Sequence, residues 1–331
     1  GSVVSSCGYQ KEQSLKQTLF ITGVSGLLGL NAALQCRDRF TVAGCYLSHP
    51  VVAGGVDAFW LDVTDRDAVK AALRQRRPEV VLHTAGLTNV DACETQPALA
   101  AQLNVESARY VAQTAREIGA RLIHISTDHL FSGKQAMVSE VATPEPINEY
   151  GRTKLEAERV VSKTYPEALI IRTNFFGWGT SRRQSFSDWI LQSLARGEAL
   201  NMFTDVFFTP ILVNDLVSTI IELLDREATG IFNVAGSTRL SKHNFGVRVA
   251  RKFGWSVDMI HPISIQDIHL KAPRPRDMSL SMAKATGLLG HPLPAIASSL
   301  VGLDELRQRH WPQTLESTIS NAETIAEPTS A

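Results

Sequence analysis

The sequence predicts an α/β fold, in which a doubly wound parallel sheet carries a smaller C-terminal lobe. A glycine-rich turn directly follows a short apolar run near the start of the chain. Buried, β-prone runs then alternate with segments of helical spacing as far as Lys154, after which the chain changes character. Parallel strands that are buried on both faces, with helices between them, give this class of fold.

The first elements are a strand, a glycine turn and a helix. Leu19 to Ile21 is a short apolar run, and the segment from Leu30 to Cys36 is amphipathic. This order is the one that a dinucleotide-binding fingerprint requires. The turn between the two segments reads Thr22-Gly23-Val24-Ser25-Gly26-Leu27-Leu28-Gly29.

Each glycine of this turn has an expected task. Gly23 would make the tight turn, Gly26 would let the backbone approach a pyrophosphate, and Gly29 would let the helix pack close to the strand. The helix N-terminus would face the phosphates. We expect the remaining contacts of the turn to come from Ser25, Leu27 and Leu28. The alternative is a glycine cluster that serves only as a turn.

The end of the second strand indicates which dinucleotide is bound. An enzyme strict for NAD usually has an acid there, to bind the ribose 2′-hydroxyl. The strand ends at Tyr46, and no acid lies near its end. A 2′-phosphate is therefore tolerated, and Ser48, His49 or Arg37 would contact it. We expect NADP(H), and NAD(H) stays open as the alternative.

A third apolar run, Ala58 to Leu61, ends at Asp62 and Val63. In this kind of fold the pair lies beside the adenine. The alternative is that Asp62 caps the following helix, Asp65 to Arg76.

Two further buried runs end in small or polar residues. One ends in Thr84-Ala85-Gly86, which suits a close approach by the cofactor, and the other ends in Ser126-Thr127. Between them Leu99 to Ile118 has helical spacing and contains Asn104. Ligands bind at the carboxyl ends of such strands, so we expect these residues to lie together.

Composition excludes several other classes of protein. The 331 residues carry 33 basic and 33 acidic side chains, without a basic run, which argues against nucleic-acid binding. No apolar stretch approaches the length of a membrane span. The four cysteines are scattered, which argues against a zinc site or a disulfide framework and fits the cytoplasm. His83 and His124 lie within strands and are interpreted as satisfied core histidines, so we expect no metal site.

We divide the chain into four parts. Residues 1–17 are expected to be a disordered leader, and residues 18–174 the dinucleotide-binding domain. Residues 175–310 are expected to form mainly the substrate-binding lobe, with some strands returning to the main sheet. Residues 311–331 are expected to be a tail, disordered from Thr314 onward because it is polar and low in aromatic residues.

Tyr150 and Lys154 are the candidate catalytic pair. If Tyr150 begins a helix, Lys154 lies one turn further on the same face. The ammonium would lower the pKa of the phenol, so that Tyr150 exchanges a proton with a carbonyl near neutral pH. Lys154 would also hold the nicotinamide ribose, and Thr127 would hydrogen-bond the carbonyl. The alternative is an ordinary exposed tyrosine and lysine.

From Thr18 to Gly302 the chain resembles the dTDP-4-dehydrorhamnose reductase family, within the Rossmann-type extended short-chain dehydrogenase/reductase superfamily. Besides the glycine turn, the resemblance rests on four motifs: Thr88-Asn89-Val90-Asp91-Ala92-Cys93-Glu94, Leu103-Asn104-Val105, Ser126-Thr127-Asp128-His129-Leu130-Phe131-Ser132-Gly133 and Tyr150-Gly151-Arg152-Thr153-Lys154-Leu155-Glu156. It implies reduction of a 4-keto group on a nucleotide-linked 6-deoxyhexose by NADPH or NADH. It also implies Thr127, Tyr150 and Lys154 as the catalytic set.

The resemblance places further residues around the reacting groups. Asn174 and Phe175 would lie near the nicotinamide. Arg274 and Arg276 would bind the diphosphate, unless they belong to a solvated loop, and Trp178 would contact the nucleoside, unless it only packs. The other expected substrate contacts are Asn89, His129 and Phe131. His129 departs from the family, which commonly has tyrosine there.

Two other functions stay open. The same resemblance covers the regulatory β subunit of methionine adenosyltransferase, which would bind NADP without turnover. An epimerase or dehydratase of sugar nucleotides is the second alternative. A dehydratase usually needs an acidic pair after the threonine, where this chain has Asp128 and then His129. An epimerase needs extra bases, for which Cys93 and His129 are the candidates. A homodimer is also expected as one possible state.

Overall fold

The computed structural model describes residues 16–325, with side chains to residue 322. Most of the predicted leader therefore lies outside the described residues. The strands in chain order are β1 Thr18–Thr22, β2 Thr41–Tyr46, β3 Val56–Trp60, β4 Val80–His83, β5 Arg121–Ile125, β6 Leu169–Arg172, β7 Phe175–Phe176, β8 Leu200–Phe203, β9 Phe207–Phe208, β10 Ile211–Leu212, β11 Gly230–Asn233, β12 Leu240–Ser241 and β13 Ile260–Ile263.

Helices alternate with these strands. In chain order they are α1 Leu27–Cys36, α2 Arg66–Arg76, α3 Val90–Thr95, α4 Pro97–Ala101, α5 Ser107–Ile118, α6 Glu149–Thr164, α7 Phe186–Ala195, α8 Val213–Asp225, α9 Lys242–Lys252, α10 Ala283–Leu289, α11 Ile296–Gln308 and α12 Trp311–Ile325. Within the described range, no helix is long and apolar enough to cross a membrane.

Seven strands form one parallel sheet, in the order β3-β2-β1-β4-β5-β6-β11. The direction of winding reverses between β1 and β4, which is the switch point where ligands bind in such sheets. Side chains of β1 show why both faces are covered. Leu19 and Ile21 pack into the apolar core on one face, whereas Phe20 packs into the core on the other. The predicted doubly wound α/β fold is confirmed.

The segment predicted as one helix, Leu99 to Ile118, is interrupted. The five residues from Gln102 to Glu106 form a π-helical turn between α4 and α5. Single π-helical turns of this kind are frequently found at functional sites. Here it carries Asn104, which is 2% exposed.

A separate apolar core holds the smaller lobe. Three aromatic residues, Phe176, Phe208 and Phe245, are fully buried in it, and Phe245 contacts each of the other two edge to face. Short two-stranded ladders, β8 with β13 and β9 with β12, frame this core. The main sheet continues into the second half of the chain because β11 pairs with β6.

The expected disorder from Thr314 onward is wrong for residues 314–325, which belong to α12. Leu315 is fully buried against Leu30 and Leu34 of α1. The Trp311 indole also donates a 2.8 Å hydrogen bond to the Asn31 side chain. Composition alone did not reveal this helix, because its few apolar residues are spaced to cover an apolar strip of α1.

Candidate active site

The glycine turn lies at the carboxyl end of β1. Gly23 has a φ of +70°, in the left-handed region that favours glycine. A Cβ on Gly29 would come within 2.2 Å of the Gly23 carbonyl oxygen, so only glycine lets α1 pack this close. Gly26 provides no side-chain cap for α1, and no acid lies in its first turn. The first amides of α1 therefore point outward without side-chain partners.

Ser25 and Leu27 are partly buried in this turn, whereas Leu28 is 4% exposed and belongs to the core. Only the backbone of Leu28 is therefore placed to contact a cofactor. Next to this turn lies the end of β2. Tyr46 is half-buried there, and Ser48 and His49 follow it on the surface.

Arg37 does not lie near these residues. It ends α1, which runs back across the sheet, and its guanidinium donates a hydrogen bond to Gly54 O just before β3. The proposed contact between Arg37 and a 2′-phosphate is therefore wrong, because the residue lies at the opposite edge of the sheet.

Asp62 does not cap α2. Asp65 does, by accepting hydrogen bonds from the amides of Asp67 and Ala68. Asp62 instead accepts 2.9 Å and 2.7 Å bonds from the amide and the hydroxyl of Thr64. It thus stays at the carboxyl end of β3, with Val63 buried beside it.

Asn104 holds the loop after β4. Its amide oxygen accepts a 2.8 Å hydrogen bond from Leu87 N, and its amide nitrogen donates to Leu87 O and to the Thr153 hydroxyl. A Cβ on Gly86 would lie 2.7 Å from the Asn104 oxygen. Asn104 thereby holds this loop against α6. The oxygen and both N–H groups of its side-chain amide already have partners within the protein.

Thr84 and Ala85 continue from β4 towards the glycine turn. The Thr84 hydroxyl donates a 2.7 Å hydrogen bond to Thr22 O. The backbone of Ala85 approaches Gly23 so closely that a Cβ there would lie 3.0 Å away. The two loops that flank the switch point are therefore in direct contact.

Helix α6 begins at the site because of its cap. The Asn148 side chain accepts a 2.8 Å hydrogen bond from Gly151 N and donates a 2.9 Å bond to Pro273 O. A Cβ on Gly151 would lie 2.3 Å from His129 O. This contact sets Tyr150, one residue earlier, against the loop that follows β5.

The structure brings Thr127, Tyr150 and Lys154 together at the carboxyl end of β5. Tyr150 is 8% exposed, and the Thr127 side chain lies near enough to its phenol to lower the pKa of that hydroxyl. Lys154 Nζ donates a 2.6 Å hydrogen bond to Ile125 O, the last carbonyl of β5. The buried Ser126 hydroxyl has no hydrogen-bond partner among the described residues. The pair is therefore not an ordinary exposed tyrosine and lysine.

Burial dominates the ionisation of this group. It raises the pKa of Tyr150 to about 12, against the opposing effect of the Thr127 side chain. It also lowers the pKa of Lys154 to about 8. The expected fall in the pKa of the phenol is therefore wrong for this arrangement, because the Lys154 ammonium is directed at a backbone carbonyl and the phenol is desolvated.

Asp128 extends the cluster towards the smaller lobe. It is 1% exposed, and the Asn174 amide donates a 2.6 Å hydrogen bond to it. Burial raises the pKa of Asp128 to about 6. The positive charge of Lys242 and the hydrogen bonds from Asn174 and Thr127 act in the opposite direction. Lys242 was not among the residues that the sequence pointed to.

Of the predicted substrate contacts, His129 lies directly at the site. Its ring packs edge-on against the Tyr150 ring, with centroids 5.5 Å apart. Burial lowers the pKa of His129 to about 3, so the imidazole is neutral. Phe175 is partly buried beside Asn174 at the start of β7.

Three other predicted contacts have structural roles. Phe131 is 5% exposed within the main core. The Asn89 side chain caps α3 by accepting a hydrogen bond from Ala92 N. Trp178 donates its indole N–H to Leu303 O and packs edge-on against Phe253, as the packing alternative predicted.

The two arginines of the proline-rich loop differ. Arg274 forms a 3.0 Å ion pair with Asp91 and also donates to Ala272 O, so it joins α3 to this loop. Arg276 is exposed, and its carbonyl accepts a hydrogen bond from Phe207 N. The Arg276 side chain is therefore open to solvent at the edge of the smaller lobe.

Buried histidines and cysteines do not form a second site. His83 Nδ1 lies 2.7 Å from the Thr22 hydroxyl, as expected of a satisfied histidine, but both ring nitrogens of His124 lack a partner. Burial raises the pKa of Cys93 to about 11. Within residues 16–325 no group of three or more side chains is arranged to hold a metal ion.

Comparisons with known proteins agree with this geometry. Residues 17–304 match the RmlD substrate binding domain family. The chain belongs to this family. A probable low-salt glycan biosynthesis reductase of Haloferax volcanii is 31% identical over 290 residues, which cover 86% of this chain and 96% of that protein.

Two further relatives of the RmlD family are similar over most of their length. Methionine adenosyltransferase 2 subunit beta of Xenopus tropicalis is 28% identical over 272 residues, 80% of each chain. The structure of a dTDP-4-dehydrorhamnose reductase from Bacillus anthracis, in complex with NADP, superposes with a TM-score of 0.78 at 25% identity. That superposition covers 87% of this chain and 99% of the other.

The residues present fit the dinucleotide that this RmlD-family fold implies. The first turn of α1 has neither a side-chain cap nor an acid, which suits a pyrophosphate. Among the described residues, the buried Ser126 hydroxyl lacks a partner at the same edge of the sheet. Tyr46, Ser48 and His49 offer no carboxylate where a 2′-phosphate would lie.

Sequence reasoning missed three residues that shape the site. Gly151 and Asn148 were detectable, since a glycine and an asparagine flank Tyr150 where a cap and a close approach are needed. Lys242 carried no such signal. It lies at the first position of α9, more than 110 residues after Asp128, and only the folded lobe brings the two near each other.

Proposed function

We propose that this protein reduces a 4-keto group on a nucleotide-linked deoxyhexose, with NADPH as the favoured reductant and NADH as the alternative. The observation that carries the proposal is the cluster of Thr127, Tyr150 and Lys154 at the carboxyl edge of the sheet, beside the glycine turn. The family to which the chain belongs and the reductases among its relatives support it.

Tyr150 is the proposed proton donor. With a pKa raised to about 12 by burial, its phenol keeps the proton at neutral pH, which suits donation during reduction. Thr127 hydrogen-bonds the substrate carbonyl and orients it towards Tyr150. A dinucleotide held at the glycine turn would supply the hydride for the carbonyl carbon, and Tyr150 donates the proton that completes the alcohol.

Lys154 is proposed to hold the nicotinamide ribose. Its hydrogen bond to Ile125 O fixes the ammonium next to the strand that carries Thr127. The depressed pKa of Lys154, about 8, reflects its burial, so a nearby negative charge would stabilise its protonated form.

A preference for NADP(H) is proposed from the end of β2. Ser48 and His49 are exposed there and can donate hydrogen bonds to a 2′-phosphate. We expect Tyr46 to lie against the same ribose, and Asp62 with Val63 to lie against the adenine. The complex of the Bacillus anthracis reductase with NADP supports this choice.

One observation favours a second candidate function. A relative of similar coverage is the β subunit of a methionine adenosyltransferase, so this chain is alternatively an NADP-binding regulatory subunit without turnover. The burial of Thr127, Tyr150 and Lys154 at the carboxyl end of β5 favours the reductase, because binding alone does not require that set.

The epimerase or dehydratase alternative has less support. A dehydratase would need a second acid where His129 lies. An epimerase would need extra bases, but burial raises the pKa of the Cys93 thiol, and the pKa of His129 is depressed to about 3. Neither side chain is poised to take a proton and return it near neutral pH.

The deciding experiment mixes the purified protein with NADPH, then with NADH, and a freshly prepared dTDP-4-keto-6-deoxyhexose. Absorbance of the reduced nicotinamide should fall only when both sugar and protein are present. The faster cofactor decides between NADPH and NADH. Tight NADPH binding without oxidation, across dTDP-, UDP- and GDP-linked keto-sugars, would instead support the regulatory subunit. A homodimer and a cytoplasmic location stay proposals.

A further inference from the structure

Lys242 has an unusual environment for a cation near the centre of the molecule. Its ammonium lies 3.4 Å from the centroid of the Phe208 ring and 4.8 Å from that of Phe186. Such contacts fix the direction of a lysine side chain and stabilise its charge. The residue is only partly buried, and its side chain makes no hydrogen bond or ion pair with residues 16–322, whose side chains are described. Its three N–H donors are therefore unused.

The backbone around Lys242 is firmly held. Lys242 N donates a 2.9 Å hydrogen bond to Val206 O, and Ser241 caps α9 by accepting from Asn244 N. The strand β12, just before Lys242, pairs with β9, which carries Phe208. The ammonium thus rests on a rigid part of the smaller lobe.

The charge of this cation reaches the active site. It acts on both Asp128 and His129, the two residues that follow Thr127. The strand β9 that carries one of its ring contacts leads into β10, which pairs with β7 just after Asn174. In the described part of the chain no ion pair joins Lys242 to Asp128, whose carboxylate is already hydrogen-bonded by Asn174 and Thr127. Lys242 therefore lies in the smaller lobe near the loop that follows β5, without a hydrogen-bond partner there.

We propose that Lys242 binds the diphosphate of the sugar nucleotide, an inference that rests on the proposed function. The keto group must reach Thr127 and Tyr150, so the rest of the substrate has to extend across this gap towards the lobe. A diphosphate is the strongest hydrogen-bond acceptor of such a substrate. An ammonium with three free donors, held beside the catalytic loop, meets that acceptor as a point charge.

The competing interpretation is that Lys242 only packs. Lys284 is an example of a lysine that only packs. Its ammonium lies 4.0 Å from the Phe232 ring centroid and donates a 2.6 Å hydrogen bond to Ile231 O. The residue is exposed and lies far from the site. Lys284→Met is therefore the matched control, because it removes the same type of contact from a position outside the proposed binding surface.

The test compares wild type with Lys242→Met, Lys242→Arg and Lys284→Met, each saturated with NADPH. Isothermal titration with dTDP, UDP and GDP gives diphosphate affinity without turnover. For the nucleotide that wild type binds best, Lys242→Met should weaken binding by about 10- to 100-fold, as expected for a lost charge-assisted hydrogen bond. Lys242→Arg should recover most of that loss, and Lys284→Met should bind like wild type.

Kinetics and the NADPH affinity separate binding from folding. Lys242→Met should raise KM for the keto-sugar nucleotide by a similar factor, with a smaller change in kcat and an unchanged NADPH Kd. Equal diphosphate affinity in wild type and Lys242→Met would overturn the assignment of Lys242 while leaving the proposed reductase intact. Failure of the wild type to bind any of the three nucleotides would overturn both proposals. If neither substituted protein folds, an unchanged dTDP affinity in Lys242→Gln would likewise reject the assignment.

Discussion

Tyr150 combines a buried hydroxyl with a neighbour that can orient it. The Thr127 side chain lies near the phenol, and the ring packs edge-on with His129. A phenol whose pKa lies near 12 is a weak acid in isolation. In the proposed reaction the proton leaves only as negative charge develops on the substrate oxygen, so the neutral form is the useful one.

We expect Tyr150→Phe to lose about 10²- to 10⁴-fold in turnover, because the ring stays but the proton donor is removed. NADPH affinity, measured by fluorescence titration, should change less than about threefold. Tyr110→Phe, on α5 and away from the site, is the control. Near-normal turnover in the Tyr150 variant would reject the proposed mechanism.

Asp128 gives a pH-dependent prediction at the same scale. Its pKa is about 6 in the folded protein and near 3.8 when unfolded, so the folded state binds the proton more tightly. Stability from this group is complete below about pH 4 and is lost as the pH rises through about 6. We expect wild type to lose up to about 3 kcal/mol relative to Asp128→Asn over this window.

Urea unfolding of both proteins at pH 4, 5, 6 and 7 measures that difference. The free energy of unfolding of Asp128→Asn, which keeps an acceptor for the Asn174 amide, should decline less between pH 4 and pH 7. Parallel pH profiles for the two proteins would contradict the assignment of a raised pKa to Asp128.

At the scale of elements, the position of α6 depends on one close approach. Gly151 lies where a Cβ would come within 2.3 Å of His129 O, and a backbone oxygen cannot give way as a flexible side chain would. Helix α6 carries both Tyr150 and Lys154. Any displacement of its first turn therefore moves both groups relative to Thr127.

Gly151→Ala should lower turnover by at least tenfold and lower stability, because the helix has to move away from the loop after β5. Gly287→Ala is the matched control, since Gly287 lies in α10 with nothing within 4 Å of its built Cβ. That control should be neutral or more stable by about 0.5–1 kcal/mol. Equal behaviour of the two variants in thermal melting and steady-state assays would show that the close approach is unimportant.

Helix α12 gives a second prediction for an element. Leu315→Ala should cost about 2–5 kcal/mol of unfolding free energy, because Leu315 is fully buried against α1. Leu288→Ala, at a position 37% exposed, should change stability by less than about 0.5 kcal/mol. Chemical denaturation measures both. A harmless Leu315→Ala would restore the disordered tail that composition predicted.

For the whole molecule, both halves of the chain contribute to the site. The cofactor turn comes from β1 and α1, the proposed catalytic residues from β5 and α6, and Lys242 from the lobe. A ligand that binds only the folded molecule stabilises all of them together. Cofactor binding should therefore be visible as a change in global unfolding.

Thermal melting with each dinucleotide tests the cofactor preference at this scale. At about 100 times its Kd, NADPH should stabilise the protein by about 2.7 kcal/mol. The same concentration of NADH should give a clearly smaller shift if Ser48 and His49 bind the 2′-phosphate. Ser48→Ala with His49→Ala should make the two shifts equal. A larger shift with NADH in wild type would reverse the proposed preference.

Local patterns allowed the parallel sheet, the glycine turn and the position of Tyr150 to be predicted from the sequence. Each of these features is determined by residues that are close together in the sequence, such as those around Gly23 in the turn and Thr127 at the end of β5. Phe131 was misplaced, and the two alternatives for Trp178 stayed open, because their surroundings depend on segments far along the chain, such as α11 with Leu303. Lys242 and Leu315 were missed for the same reason. Their partners, Phe208 and Leu34, are known only once the lobe and the last helix have packed.

The packing of α12 against α1 has a consequence for synthesis. Helix α1 leaves the ribosome long before α12, so Leu30 and Leu34 are covered only after Leu315 has been made. An apolar strip of the first βα unit therefore stays open to solvent while all of the chain between these two helices is made. The growing polypeptide is exposed to aggregation there until α12 has packed.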